Sequence, residues 1–451
     1  MKNFIRISLI LNELLLEILM KFITKNYFNA VNFQENRMKK LFVKFSLLVL
    51  IITLSFVNLY SQNIPYTILI SFDGFRWDYT TRGITPNFDY IEKNGVKALS
   101  LKPSFPSITF PNHISILTGM YPQNHGIIAN TIYDPVTDKL YQLRDTAEVR
   151  NPYWYKGEFI WETARRQGVI TASYFWPGSE MNLDYRRSNY YEKYEHERDY
   201  VERINGVINW LKLSYNERPK FITLYYDLTD SEGHRYGPNS TQVNEAISRL
   251  DSLIGILFNK LDEIKLRDSV NIIIVSDHGM TEISQERYIN IETIVDNPNC
   301  KFVNRGAIMN IFIKNKNEIE DVYKQLKHNE NHYRVYKPEE IPAHYHFNYN
   351  HLIGDLFVLA EPGWSVGTNK DKDKMHEYNG GNHGFDNSFL DMHGIFYAIG
   401  PSFKQNYKTG TIENINIYPM LCKILNIIPK QNIDGRLENI QFILKEKEKT
   451  N

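Results

Sequence analysis

Tyr66-Thr-Ile-Leu-Ile-Ser-Phe72 is a continuous apolar, β-rich run that stops at Asp73-Gly74. A run of this kind, with no charged face, belongs to a strand covered on both sides in a parallel sheet. Gly168-Val-Ile-Thr-Ala-Ser-Tyr-Phe175, Phe221-Ile-Thr-Leu-Tyr-Tyr226 and Asn271-Ile-Ile-Ile-Val-Ser276 read the same way. The first of these follows a helical stretch over 159–167. The second is followed by Asp227 and Asp230, and the third ends in Asp277-His278-Gly279. Between the last two runs, Val243, Ile247, Leu250, Ile254, Leu257, Leu261 and Ile264 recur at spacings of four and three. That is one apolar stripe, predicting a helix over 241–265 with Asn239 and Gln242 as its cap. Strand, helix, strand predicts an α/β fold: a doubly wound, mostly parallel sheet with helices on both faces. Such sheets hold ligands at the carboxyl ends of their strands. Three of these strand ends carry Asp.

The chain continues with a smaller α+β insertion expected over about 282–364, containing strands near 307–313 and 354–360 and a helix over 318–328. His344, His346, His351 and Asp355 fall there and read as solvated loop residues. The main domain, 64–430, resumes at Asn382-His383-Gly384-Phe385-Asp386-Asn387, with a strand over 395–399 and a closing helix over 417–424. Residues 431–451 read as a tail that frays from the Lys/Glu-rich stretch at Lys445.

A second stretch carries the chemistry: Lys102-Pro-Ser-Phe-Pro-Ser-Ile-Thr109-Phe-Pro-Asn-His113, running through Thr118-Gly119 to His125-Gly126 and Asn130. Pro111 just after Thr109, with Ile114 and Leu117 behind it, predicts a helix whose first turn contains Thr109. A helix N-terminus favours an anion, and a hydroxyl there faces it. Thr is also a common helix cap, so the position acquires meaning only from the Asp and His clusters elsewhere.

The 451 residues, 42% hydrophobic and 14% aromatic, suffice for a large core. Met38-Lys39-Lys40, an apolar run over 46–57 and Ser61-Gln62 form the pattern of a secretory signal within an N-terminal extension, 1–61. An uncleaved anchor is the alternative, although the run is short for a full span. The extension holds 8 of the 52 basic and 3 of the 52 acidic residues, leaving 44 against 49, a net charge of −5. A mildly acidic domain has no general attraction for nucleic acid, and contact with a membrane is expected only through the N-terminal segment. Export to the periplasm or medium follows. Cys300 and Cys422 could pair or stay as buried thiols.

The groups at the strand ends and adjoining loops are Asp73, Thr109, Asp230 with His234, Asp277 with His278, and His383. In Asp230-Ser-Glu-Gly-His234 a tight turn at the Gly could aim both ligands at one ion. Carboxylate and imidazole suit zinc in a site with an open position. Six such ligands suffice for two ions, and Thr109 could add a seventh contact. Two ions stabilise the attacking and leaving oxygens of an in-line displacement at phosphorus.

Ser71-Phe-Asp-Gly74, Thr109-Phe-Pro-Asn-His113, Thr118-Gly-Met-Tyr-Pro122, His125-Gly-Ile-Ile-Ala-Asn130, Asp230-Ser-Glu-Gly-His-Arg-Tyr-Gly-Pro238, Ser276-Asp-His-Gly-Met280 and Asn382-His-Gly-Phe-Asp-Asn387 resemble the nucleotide pyrophosphatase/phosphodiesterase family of the alkaline phosphatase superfamily. The resemblance spans about residues 65–430. It implies Thr109 as nucleophile, Asp73, Asp277 and His278 as ligands of the zinc that activates it, and Asp230, His234 and His383 as ligands of a second zinc. It implies Asn130 as a donor to a phosphate oxygen, and Phe110 and Tyr194 as the two sides of a base slot, Tyr194 lying beyond Trp176-Pro-Gly178. The implied activity releases nucleoside 5′-monophosphates from phosphodiesters or pyrophosphates through a phosphothreonine intermediate. Lysophospholipid or choline-phosphate diesters and phosphate monoesters are the alternative small-molecule substrates.

Overall fold

The computed structural model describes residues 64–371 and 379–446, together with Glu17, Lys21 and residues 44–46. The chain forms two units, 1–63 and 64–451. In the first, Lys21 and Glu17 pair at 2.9 Å one helical turn apart. The apolar run and cleavage position expected for export lie outside the described residues, apart from Ser46. No helix among the described residues is long and apolar enough to cross a membrane.

The second unit is organised on an eight-stranded sheet. Its strands are β1 (Tyr66–Phe72), β2 (Val96–Ala98), β3 (Thr171–Tyr174), β4 (Tyr190–Glu192), β5 (Phe221–Tyr226), β6 (Val270–Val275) and two late strands named below. All seven residues of β1 are buried, which its unbroken apolar run requires. It pairs in parallel with β5 on one side and β6 on the other. Ile68, Ile70 and Phe72 pack on one face with α1 (Pro86–Asn94), α4 (Tyr200–Leu211) and α6 (Thr241–Glu263). Leu69 faces the other side, toward α2 (Thr109–Thr118), α3 (Ile160–Arg165) and α8 (Ile417–Ile424). Each such side chain, taken fully out of water, contributes about 1.5–3 kcal/mol.

The insertion is a four-stranded antiparallel sheet, ordered β7-β8-β10-β9: Cys300–Val303, Ile308–Ile313, Leu356–Ala360 and Tyr333–Tyr336. Helix α7 (Ile319–His328) crosses between β8 and β9, burying Val322 and Leu326. The chain then returns to the main sheet as β11 (Phe396–Ile399) and β12 (Tyr407–Thr409). The full order is β12-β2-β11-β6-β1-β5-β3-β4. β11 runs antiparallel to both of its neighbours, so the sheet is mixed, with five of its seven pairings parallel.

Several expectations shift. The strand expected over 168–175 is confined to Thr171–Tyr174: Phe175 at φ 68° ends it, and Gly168 at φ 79° lies outside its start. Helix α6 is capped by Ser240, whose Oγ accepts from Val243 N at 3.3 Å. Asn239 instead accepts from Arg76 at 3.1 Å. The stretch 431–446, expected as a tail, packs onto the domain. Ile440 and Ile443 are buried, Asp434 accepts from Tyr121 N at 2.8 Å, and Lys445 N donates to Ser402 O at 2.9 Å. The insertion's His and Asp residues go separate ways. Asp355 pairs with Lys316 at 2.6 Å, and His346 stacks on Tyr121 at 4.0 Å. Cys300 and Cys422 are both free thiols, pushed by burial up to about 11 and about 12.

Candidate active site

Three neighbouring strands end at one edge. Asp73 follows β1, Asp227 follows β5, and Asp277-His278 follow β6. Helix α5 (Leu228–Tyr236) starts at once after β5, so Asp230 sits in its first turn and His234 one turn later on the same side. The tight turn expected at Gly233 is thus a helix. Gly233 serves packing instead, since a Cβ there would lie 3.0 Å from Met280 Cε. Gly74 has φ 65°, and a Cβ on it would meet Asp230 Cα at 2.8 Å. Only a residue without a side chain lets the β1 and β5 ends approach this closely. His383 arrives from the strand Gly380–Asn382, which pairs with Thr281–Ile283 and lies against α5.

The imidazoles share one pattern. His234 Nδ1 donates to Gly381 O at 2.9 Å, His278 Nδ1 to Gly279 O at 2.8 Å, and His383 Nδ1 to Ser107 O at 2.9 Å. With the Nδ1 protons so committed, the Nε2 lone pairs face the interior, an orientation suited to metal ligation. His234 Nε2 and His383 Nε2 stand 3.2 Å apart, and the His278 and His383 rings stack at 3.5 Å. The carboxylates match them. Asp73 Oδ1, Asp230 Oδ1 and Asp277 Oδ2 are buried, and none has a hydrogen-bond donor among the described residues. Ligand atoms of Asp230, His234 and His383 lie within 4.8 Å of one another, as do those of Asp73, Asp230 and His278. Buried carboxylate oxygens and inward lone pairs fit divalent cations.

Within the cluster burial opposes charge on His278, but the Asp277 carboxylate outweighs it and raises that imidazole above its ordinary value. Burial and then the Asp277 and Asp230 carboxylates push Asp73 well above the usual carboxylate range. Burial and then His278 and His234 hold His383 well below the usual imidazole value. Burial also opposes charge on Asp277, but His278 and His113 outweigh it and hold that carboxyl low.

Thr109 is the first residue of α2, with Ile108 as its cap. Its Oγ1 lies 3.1 Å from His278 Nε2, at the edge of the carboxylate cluster. The helix end offers an anion less backbone than expected, because Phe110 N donates to Asn130 Oδ1 at 3.1 Å and Pro111 has no N–H. That bond turns the Asn130 amide so that Nδ2 is its remaining donor. Asp73, Thr109, Phe110, Asn130, Tyr194, Asp230, His234 and His383 all line one cavity of about 350 Å³. Asp277 and His278 lie behind it.

Two residues with no role in the sequence reading support this set. His113, one turn after Thr109, is fully buried, accepts or donates at Ser71 Oγ (2.8 Å), and donates from Nδ1 to Thr109 O at 2.9 Å, with Asp277 Oδ2 at 3.4 Å. Its four-residue spacing from Thr109 is the signal that could have found it. Tyr225 donates its hydroxyl to Asp73 Oδ2 at 2.6 Å. It sits inside an apolar strand pattern, and nothing there distinguishes it from core.

An α/β sheet of the alkaline-phosphatase kind with these groups at its carboxyl edge defines a class, the hydrolases of phosphate esters and anhydrides. Comparison narrows it. The family model for type I phosphodiesterase/nucleotide pyrophosphatase matches residues 67–386. Ectonucleotide pyrophosphatase/phosphodiesterase family member 5 of Homo sapiens is 34% identical over 377 residues, 84% of this chain and 77% of the relative. The bis(5′-adenosyl)-triphosphatase of Homo sapiens is 36% identical over 372 residues, 82% of this chain and 80% of that protein. Murine ectonucleotide pyrophosphatase/phosphodiesterase 5, solved as an inactive Thr→Ala variant with AMP, superposes with a TM-score of 0.80 at 32% identity, covering 84% of this chain and all of its own. The chain belongs to the type I phosphodiesterase/nucleotide pyrophosphatase family. It is a hydrolase acting on phosphodiester or pyrophosphate bonds.

Proposed function

We propose that the protein cleaves nucleotide phosphodiesters and pyrophosphates to nucleoside 5′-monophosphates, through a covalent intermediate on Thr109. The observation that carries this reading is one cavity lined by Thr109, by Asp73, Asp230, His234 and His383, and by Phe110 and Tyr194. Asp73, Asp277 and His278 would hold one zinc ion, and Asp230, His234 and His383 a second. Zinc bound there supplies a Lewis acid that lowers the pKa of an adjacent hydroxyl and neutralises phosphate charge.

Thr109 Oγ attacks phosphorus in line, and its proton passes to solvent. The bond to the leaving oxygen breaks, giving a phosphothreonine diester. Water then attacks the same phosphorus, the bond to Thr109 breaks, and the hydroxyl is restored as the nucleoside monophosphate leaves. Asn130 Nδ2 donates to a non-bridging oxygen, a contact that gains strength as charge builds there. Phe110 and Tyr194 hold the base between their faces.

Beside Leu143, Val149 and Pro177 the cavity is lined by Thr146, Ser179, Arg150 and Glu180, polar groups that a nucleotide can satisfy and an acyl chain cannot. The relatives are named as ectoenzymes, which agrees with the export pattern at 38–61. A panel of p-nitrophenyl-TMP, p-nitrophenyl phosphate, ATP, a dinucleotide and a lysophospholipid tests the assignment. The nucleotide diesters and ATP should turn over fastest, each yielding a 5′-monophosphate. Faster release from the lysophospholipid or the monoester would replace the assignment.

A further inference from the structure

Tyr194 lines the cavity with its ring edge-on to Phe175 at 5.4 Å. It follows β4, the sheet's edge strand, and is 45% exposed. β4 itself is three residues long and pairs only with β3. Its position is therefore set by side-chain contacts rather than by the ladder. Glu180 supplies one of them, since its Oε1 accepts from Tyr194 N at 2.7 Å. The same carboxylate binds Arg150, which also lines the cavity, through Nε at 3.0 Å and through Nη2. Arg150 also accepts from Asn182 N at 2.7 Å with its backbone carbonyl. Glu180 is mostly buried, with a side chain 16% exposed, so this ion pair is shielded more than a surface pair. Glu180 and Arg150 both face the cavity.

We infer that Glu180 is a positioning residue for nucleotide binding: it ties Tyr194 to the Arg150 wall and so fixes the width of the slot facing Phe110. The inference rests on the base-slot reading above. It differs from that reading in naming what holds the slot to width, and from a purely structural role in requiring Tyr194. A residue that acts through Tyr194 has nothing to position once the ring is gone. Coupling between contacting residues of about 0.5–3 kcal/mol is usual, which is about 2- to 150-fold.

The experiment is a double-mutant cycle on the full chain with Glu180→Ala and Tyr194→Ala. It is read as KM for a nucleotide diester and for a small alkyl diester, and as AMP affinity by calorimetry on a Thr109→Ala background. Glu180→Ala should raise KM for the nucleotide about fivefold or more beyond any rise for the alkyl diester, and weaken AMP by a similar factor. Glu180→Gln keeps an acceptor for Tyr194 N and should recover part of the loss. Arg150→Ala should reproduce much of it. In the Tyr194→Ala background, Glu180→Ala should add less than twofold. Additive losses, or equal losses on both substrates, would overturn the positioning role. A Tyr194→Ala variant that binds AMP as wild type does would instead overturn the slot itself, and a melting curve on each variant separates both cases from unfolding.

Discussion

His234 Nε2 and His383 Nε2 face each other at 3.2 Å, and each ring has given its Nδ1 proton to a backbone carbonyl, of Gly381 and Ser107 respectively. Two lone pairs at this distance repel unless something positive lies beside them, and Asp230 Oδ1 is 3.3 Å from the first and 3.6 Å from the second. A proton could serve one ring, but burial and the neighbouring imidazoles hold His383 neutral. The donors of Asp230, His234 and His383 converge within 4.8 Å of one another, as the ligands of one cation would.

Metal removal should therefore abolish turnover and also lower stability, because an ion bound only by the folded chain stabilises it by mass action, about 2.7 kcal/mol at a hundredfold excess over Kd. Dialysis against a strong chelator should lower Tm, and zinc should restore both Tm and activity. Elemental analysis should return two zinc ions per chain. His383→Ala should retain fewer. Full turnover in metal-free protein would refute the two-zinc assignment.

Thr109→Ala should remove nearly all turnover and leave zinc content close to unchanged, since the six Asp and His donors remain. Thr109→Ser should keep part of the activity. It retains the hydroxyl but loses the methyl that restricts its rotamers. Rapid quench with a labelled diester, followed by mass spectrometry, should trap label on Thr109 in wild type alone. Wild-type turnover in the Ala variant would make water the direct nucleophile.

The strands with unbroken apolar runs could be read directly, because burial on both faces leaves a compositional mark. The β5 run matches its strand at both ends, and the Asp and His residues behind β1, β5 and β6 were visible as strand-end polar groups. Three features were not. β2, β4 and β12 are three residues each, too short for any period to register, and exist through pairing. α5 lacks an apolar stripe and is a helix because it docks on Met280 and the Gly380–Asn382 strand, so Asp230 and His234 looked like turn residues. The hold of Tyr225 on Asp73, and of Glu180 on Tyr194, depends on tertiary contacts that no local pattern encodes.

Acid sensitivity should have a component outside the Asp and His cluster. His125 is fully buried, with Nδ1 accepting from Ile127 N at 3.2 Å and Nε2 facing Pro111 O at 3.1 Å and Ser115 Oγ at 3.0 Å. Burial pushes its pKa from 6.5 down to about 3. Between those values the unfolded chain binds a proton that the folded chain does not, so stability falls as pH falls, by about 1.4 kcal/mol per unit from this group. His125→Gln removes the titration. Its urea-unfolding free energy should start below wild type at pH 7, and the gap should narrow steadily toward pH 5. Parallel curves would assign the acid limb to other groups.

The base slot gives the sharpest test of what the enzyme acts on. Phe110 and Tyr194 line the same cavity as Thr109, and Tyr194 is held at both ends, its N–H on Glu180 and its hydroxyl 3.1 Å from His196 Nδ1. A ring fixed in this way can stack on any base, and stacking is worth about 1–3 kcal/mol per base. Tyr194→Ala should therefore lower kcat/KM for nucleotide diesters by roughly 5- to 150-fold, mostly through KM. A small alkyl phosphodiester has no ring to stack and should lose far less. Aryl diesters make poor controls, because a nitrophenyl group could enter the slot itself. On a lipid-directed enzyme the nucleotides would be weak substrates from the start, and the substitution would alter headgroup or chain preference instead. Equal losses on nucleotide and alkyl diesters would make Tyr194 a support of the fold, and the nucleotide would then have to be held by Phe110 and Asn130 alone.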